Sequence, residues 1–212
     1  MNVTRRKAIA SGSVVAIGSL TGCLGALFEE ERFNSDLDGG PEQYPDVEQP
    51  EYRFNISDEE STITAEWYTD YQCSSCETYY RTIIQPSETR FENLRVVKYD
   101  FPVVGSLSVP LANLVYEHSA QFGPRRNEVY DAINRIYNYD NRFQDIDALV
   151  EELSQVNGID EPRLFEVMEI GQYNQLIRQH VERGEDLGVD RTPTIIMDGE
   201  ILEDPFDVEQ YP

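Results

Sequence analysis

The 212-residue chain has little lysine, histidine or cysteine: Lys7 and Lys98, His118 and His180, Cys23, Cys73 and Cys76. Against 40 Asp+Glu it sets 17 Lys+Arg, for a formal net charge of −23. Such a surface repels nucleic-acid phosphates and anionic headgroups, which excludes polyanion binding. A zinc site needs four ligands, yet His118 and His180 both fall on apolar helical stripes and read as packed histidines. Covalent haem needs a histidine directly after a Cys-x-x-Cys, where Glu77 stands. The chain also lacks a spanning apolar run: Ala8 to Leu20 falls short of the roughly 20 residues a bilayer helix needs. Internal repeats are absent.

What is present begins with an address. Arg5, Arg6 and Lys7, the apolar run and Thr21-Gly22-Cys23 have the charge and length of a signal peptide over residues 1–22. Thr4-Arg5-Arg6-Lys7 resembles a twin-arginine export signal. Leu20-Thr21-Gly22-Cys23 resembles a lipobox, in which Cys23 becomes the lipidated first residue. The alternative is a retained N-terminal anchor with Cys23 incidental. Cleavage would remove three positive charges and take the net charge to about −26. Broad acidity with so little lysine resembles proteins of salt-loving archaea, where high ionic strength screens self-repulsion. Residues 23–50 are acidic and rich in Gly and Pro, which predicts a flexible tether. The folded domain is then 51–212. Asn55-Ile56-Ser57 is a glycosylation sequon.

Within the domain, Ser61 to Tyr68 alternates as a strand, with Ile63, Ala65 and Trp67 on one face. Cys73 to about Gln85 is expected to be helical, ending before Pro86. Arg95 to Phe101 is a second strand, closed by Pro102. Helical stripes follow: Leu111, Leu114, Val115 and His118; Val129, Ile133, Ile136 and Tyr137; Ile146, Leu149, Val150 and Leu153. A short helix spans Pro162 to Ile170, and a long one carries Tyr173, Leu176, Ile177, His180, Val181 and Leu187. Thr192 to Met197 is a strand, Asp198-Gly199 a hairpin turn, and Glu200 to Leu202 the returning strand. After Leu202 only Asp207 to Tyr211 remains to cover that face of the sheet, unless the tether does.

Cys73-Ser74-Ser75-Cys76 carries the chemistry. At a helix start, unsatisfied N–H groups and the positive dipole end stabilise a thiolate. Cys73, in the first turn, would be exposed and nucleophilic. Cys76, one turn further in, would be shielded and placed to resolve a mixed disulfide on Cys73. A structural bridge closing so short a loop would add little stability.

The order of three motifs gives a further reading. Asp70-Tyr71-Gln72-Cys73-Ser74-Ser75-Cys76 follows a strand. Phe101-Pro102-Val103 lies beyond the second strand, and Leu187-Gly188-Val189-Asp190-Arg191-Thr192-Pro193-Thr194 precedes a hairpin. Together they resemble the DsbA-like branch of the thioredoxin fold, from about Ser61 to Leu202. The resemblance implies an α/β mixed sheet flanked by helices, with a helical insertion at about 108–187 between the second core strand and the hairpin. It also implies a cis Pro193 beside the cysteines, with Thr192 offering its backbone to a substrate peptide and no cofactor beyond the Cys73–Cys76 pair. Two departures stand out. The buried acid that many relatives carry six residues before the first cysteine is Trp67 here, and Glu66, one residue earlier on a strand, faces the other way. The dipeptide Ser74-Ser75 lacks the histidine of the strongest oxidants, so Cys73 should be less acidic than theirs.

The expected function is a lipid-anchored, extracytoplasmic thiol–disulfide oxidoreductase. It would donate disulfides to exported proteins and exchange electrons with a membrane redox partner. Reductase, isomerase or electron-relay roles use the same pair. A non-catalytic peptide-binding lipoprotein is the alternative of a different class.

Overall fold

The alternating runs, the hairpin turn and several of the helical stripes resolve into elements in a computed structural model. It describes residues 37–47, 51–54, 62–86, 91–122, 133, 146–147, 150–151, 154 and 160–210. In chain order these are β1 (Glu51–Phe54), β2 (Ile63–Thr69), α1 (Ser74–Tyr79), β3 (Leu94–Asp100), α2 (Ser108–Phe122), α3 (Glu161–Ile170), α4 (Asn174–Asp186), β4 (Thr194–Met197) and β5 (Glu200–Ile201). A 3-10 turn, Pro205–Gln210, follows. The sheet order is β1-β3-β2-β4-β5, with β2 and β3 parallel and every other pair antiparallel. The mixed sheet with flanking helices is the thioredoxin-like architecture expected.

Strand periodicity explains the layers. In β3 the burial alternates strictly, with Leu94, Val96, Lys98 and Asp100 buried between half-buried neighbours. In β2 the parallel register sets Ala65 beside Val96, Trp67 beside Lys98 and Thr69 beside Asp100. That face, with Ile195 and Met197 of β4, packs on Tyr79, Tyr80, Leu111, Leu114 and Val115 in the main core. On the other face Tyr68, Phe101, Val189 and Ile196 form a smaller core, with Tyr99 and Val181 packed against it. Gly184 of α4 lets that helix approach: a Cβ there would lie 2.9 Å from the Tyr68 ring and 3.0 Å from Phe101.

Several boundaries differ from the sequence expectation. β1 is an additional edge strand, antiparallel to β3. The helix after Cys73 turns π-helical over Tyr80–Ile84, where the Gln85 N–H reaches the Tyr80 carbonyl at 2.8 Å. β4 begins at Thr194, after the proline turn. Asp198 (φ 51) and Gly199 (φ 82) both take left-handed backbone, as a two-residue hairpin requires. Within the insertion, Ile133, Ile146 and Val150 are helical and buried; Val129, Ile136, Tyr137, Leu149 and Leu153 lie outside the described residues, as do Cys23, residues 1–36 and Asn55.

Part of the segment read as tether, 37–47, lies against the domain. Leu37, Tyr44 and Val47 pack on the main core. Arg178 of α4 donates to the Leu37 carbonyl and Gln172 to the Gln43 carbonyl. Gly40 (φ 97) runs so close to the Gly171 carbonyl that a Cβ would meet its oxygen at 2.3 Å. The 3-10 turn also covers the core: Val208 is buried, and Phe206 meets Tyr79 edge to face at 5.8 Å. Both the turn and residues 37–47 therefore help to close the core. Among the described residues, no helix is long and apolar enough to cross a membrane.

Candidate active site

The site forms where β2 hands the chain to α1. The Asp70 carbonyl accepts the Cys73 N–H at 3.2 Å, and Cys73 takes the N-cap position, with φ −90 and ψ 111. Its sulfur does the work of a capping oxygen: the Cys76 backbone N–H donates to Cys73 Sγ at 3.3 Å. From the opposite side, Cys73 Sγ lies 3.4 Å from the Thr192 carbonyl oxygen. The Thr192–Pro193 peptide bond is cis. The structure thus brings Cys73, Cys76, Thr192 and Pro193 together across 119 residues of sequence.

Both cysteines are free thiols. Cys73 is 8% exposed and Cys76 fully buried, while Ser74 and Ser75 face solvent. Cys73 is more enclosed than its helix-start position suggested, because the Thr192 turn lies over its sulfur. Its thiol is pulled down to about 6, chiefly by a hydrogen bond with the Cys76 thiol. Burial opposes this, and Thr192 and the N–H groups of Cys76 and Ser75 add to it. Burial pushes the Cys76 thiol far up, and the adjacent Cys73 sulfur pushes it further. The Asp70 N–H and the Thr69 hydroxyl pull the Cys76 sulfur the other way. One thiol is primed and the other held neutral, the division of labour that two-step exchange requires.

Around the pair, sequence reasoning missed two groups of residues. Asp70 is buried and its carboxylate accepts from Gln72 N (2.7 Å), Val103 N (2.7 Å), Val104 N (2.8 Å) and Ser108 Oγ (2.7 Å). Gln72 Oε1 adds the Leu107 N–H at 2.7 Å. These bonds staple the turn before Cys73 to the loop after β3 and leave Val103 and Val104 exposed beside it. Burial raises the Asp70 carboxyl, against the pull of these donors. An acid just before Cys-x-x-Cys signals a turn, but not what the turn holds.

The second group is the ion pair Lys98 Nζ–Asp100 Oδ1, 2.8 Å long, with both side chains 1% exposed. The Tyr71 ring sits 4.6 Å from Lys98 Nζ. The Asp100 N–H donates to His180 Nδ1 at 3.3 Å, and Tyr116 Oη lies 3.1 Å from the same nitrogen. Accepting at Nδ1 leaves the His180 proton on Nε2. Burial holds His180 down at about 4, so it is neutral. Glu66 is on the other face of β2, paired with Arg183 at 2.5 Å and accepting the Tyr68 hydroxyl at 3.0 Å, away from the cysteines. His118 is buried too. Among the described residues, no group of three or more His, Cys, Asp or Glu is arranged to hold a metal ion.

A family model described as thioredoxin matches residues 52–212. No curated protein matches the sequence. Among solved structures, the chain is similar to the MdbA protein, a thiol-disulfide oxidoreductase from Actinomyces oris. The TM-score is 0.62 at 12% identity, covering 81% of this chain and 94% of that one. It is also similar to Chlamydia trachomatis DsbA (TM-score 0.59, 18% identity, 80% and 92% covered). BdbD from Bacillus subtilis gives 0.54 at 15% identity, with 81% and 94% covered. At these identities the likeness is one of fold, and it embraces nearly the whole of each solved chain.

Proposed function

The chain belongs to the thioredoxin family, and on that premise we propose that it is a thiol–disulfide oxidoreductase acting outside the cytoplasm as a disulfide donor to exported proteins. Cys73 is the nucleophile and Cys76 the resolving thiol. The Thr192-Pro193 turn holds an extended substrate peptide. The observation that carries the reading is the contact of the lowered Cys73 sulfur with both the Cys76 N–H and the Thr192 carbonyl.

In donation, a substrate thiolate attacks Cys73 Sγ of the oxidised pair and Cys76 leaves. The second substrate thiolate then attacks the substrate sulfur of the mixed disulfide and expels Cys73. The substrate loses two electrons and gains a disulfide, and the pair becomes two thiols. A membrane redox partner reoxidises it, and lipid on Cys23 keeps the enzyme at the membrane face. The pair needs no cofactor.

A Cys73 thiol near 6 stands between a thioredoxin cysteine at about 7 and that of the strongest oxidant at about 3.5. The potential of the pair is therefore expected between about −270 and about −120 mV. Glutathione equilibration followed by thiol trapping measures it, alongside oxidation of a reduced substrate protein. A pair that can be reduced only by unfolding the protein would show the bridge to be structural. Cys76→Ala should accumulate a mixed disulfide on Cys73 with exported proteins; absence of that adduct would rule out the two-thiol cycle.

A further inference from the structure

Charged residues make up 27% of the chain, yet the 16 residues from Phe101 to Tyr116 include none. Neither do Tyr71 to Cys76 or Thr192 to Met197. Printed on the fold, these stretches meet: Thr192 touches the Cys73 sulfur, and Gln72 holds the Leu107 N–H. The rim that they form beside Cys73 is therefore uncharged in a chain of net charge −23. Two side chains project from it. Val103 and Val104 are 54% and 53% exposed, the most exposed large hydrophobic side chains among the described residues. Valines left in water forgo the stabilisation of burial, so a ligand that covers them gains it.

The loop that carries them is held from beneath. Asp70 Oδ2 accepts the N–H groups of both valines, and Oδ1 accepts the Gln72 N–H and the Ser108 hydroxyl. The Gly105 N–H donates to Ser108 Oγ and the Leu107 N–H to Gln72 Oε1. Residue 105 must be glycine for this approach, since a Cβ would fall 2.5 Å from Gln72 Oε1. With these donors used inside the protein, the loop offers a substrate apolar side chains rather than a free strand edge. The backbone of Asp70 meanwhile serves both cysteines: its carbonyl accepts the Cys73 N–H, and its N–H bonds the Cys76 sulfur. One buried residue thus fixes valines and cysteines in a single frame.

From this arrangement we infer that Val103 and Val104 form an apolar wall selecting substrate segments with apolar residues beside the reacting cysteine, and that Asp70 is the positioning residue that holds the wall in place. The inference rests on the oxidoreductase reading and names its substrate class: unfolded chains whose cysteines are destined for a core. Cysteine is among the most buried residue types, so in an unfolded chain it commonly lies within an apolar stretch. The Thr192 backbone holds the segment, and the valines read its side chains. A basic segment drawn in by the general acidity finds no carboxylate on this rim to pair with. Asp70 itself is buried and touches no substrate, acting only through the loop.

The test uses the oxidised full-length protein and dithiol peptides that differ only in the residues flanking the first cysteine: valine, serine or lysine. Wild type should oxidise the valine peptide with a kcat/KM about 10- to 50-fold above that of the other two, the difference lying in KM. In Val103→Ser/Val104→Ser the preference should shrink to within about threefold through a higher KM for the valine peptide. The Cys73 titration should stay near 6. Asp70→Asn should act in the same direction: an amide has one oxygen where the carboxylate has two, so one pair of donors would face its NH2 group. The valines are exposed, so their double variant decides the matter even if Asp70→Asn does not fold. Equal use of valine and serine peptides by wild type, or a full preference kept by the valine variant, would overturn the wall. A full preference kept by folded Asp70→Asn would overturn the positioning role. Preference for the lysine peptide would overturn the inference by assigning selection to the acidic surface. A wild-type protein that oxidises no peptide and does not react with glutathione would instead overturn the oxidoreductase reading beneath it.

Discussion

Cys73 and Cys76 share a helix end but not an environment, and the difference can be read as a dependence of stability on pH. Cys73 has an ordinary value of 9.0 and is held at about 6 in the fold. A depressed acid stabilises the native state wherever it is ionised there and protonated in the unfolded chain. Its contribution to the reduced protein is complete above about pH 9 and disappears as pH falls through about 6. Cys76 is shifted the other way, so its effect weakens the fold only above pH 9. Urea unfolding of the reduced protein from pH 5.5 to 9 should therefore show wild type gaining on Cys73→Ser as pH rises, by a few kcal/mol at most. A constant difference across that range would mean that the fold does not hold the Cys73 thiolate.

At the scale of elements, α4 is the piece that ties the second core to the site. Its Gly184 is a poor helix former, and replacing it by alanine removes about 1 kcal/mol of intrinsic cost. The Cβ, however, would meet the Tyr68 and Phe101 rings at 2.9–3.0 Å, and overpacking a filled core costs about 1–3 kcal/mol. The clash should win: Gly184→Ala is expected to lower the thermal midpoint, which calorimetry measures, and an unchanged or raised midpoint would show that the rings give way freely. Nothing in the sequence marked this glycine, because its reason is a contact with a strand more than a hundred residues away. The strands, the hairpin and the helices at 108–122 and 161–186 were legible, since alternation, stripes and turn residues are local signals. β1 was not: Glu51-Tyr52-Arg53-Phe54 alternates, but four residues are too few for alternation to distinguish a strand from chance. Residues 37–47 looked like linker because Leu37, Tyr44 and Val47 are diluted by acids and glycine. The cysteines were legible from their spacing at a helix start together with the order of the motifs around them. Lys98 and Asp100 were missed: their alternation with Val96 places them on its face, but nothing local to the strand shows that two charged side chains are buried there. Only their mutual pairing across that face allows burial.

The whole molecule carries its acidity with few internal counter-charges. Asp and Glu outnumber Lys and Arg by 40 to 17. Pairs among the described residues, such as Arg163 with Glu117 and Arg183 with Glu66, use arginine in forked contacts, and the basic side chains are too few to offset the acids in number. Folding gathers these charges into a smaller volume, so self-repulsion penalises the native state more than the unfolded one. The screening length shrinks from about 10 Å at 0.1 M salt to about 3 Å at 1 M, below the spacing of most surface charges. Urea, being uncharged, leaves this effect visible. The urea midpoint should rise steadily from 0.1 M to beyond 1 M sodium chloride, whereas matched sucrose, which also favours compact states but does not screen, should reproduce only part of the gain. Replacing several exposed carboxylates by their amides should raise the low-salt midpoint and flatten its salt dependence. If the amide variant kept the full salt dependence, burial and ion exclusion rather than charge repulsion would be the source of the effect.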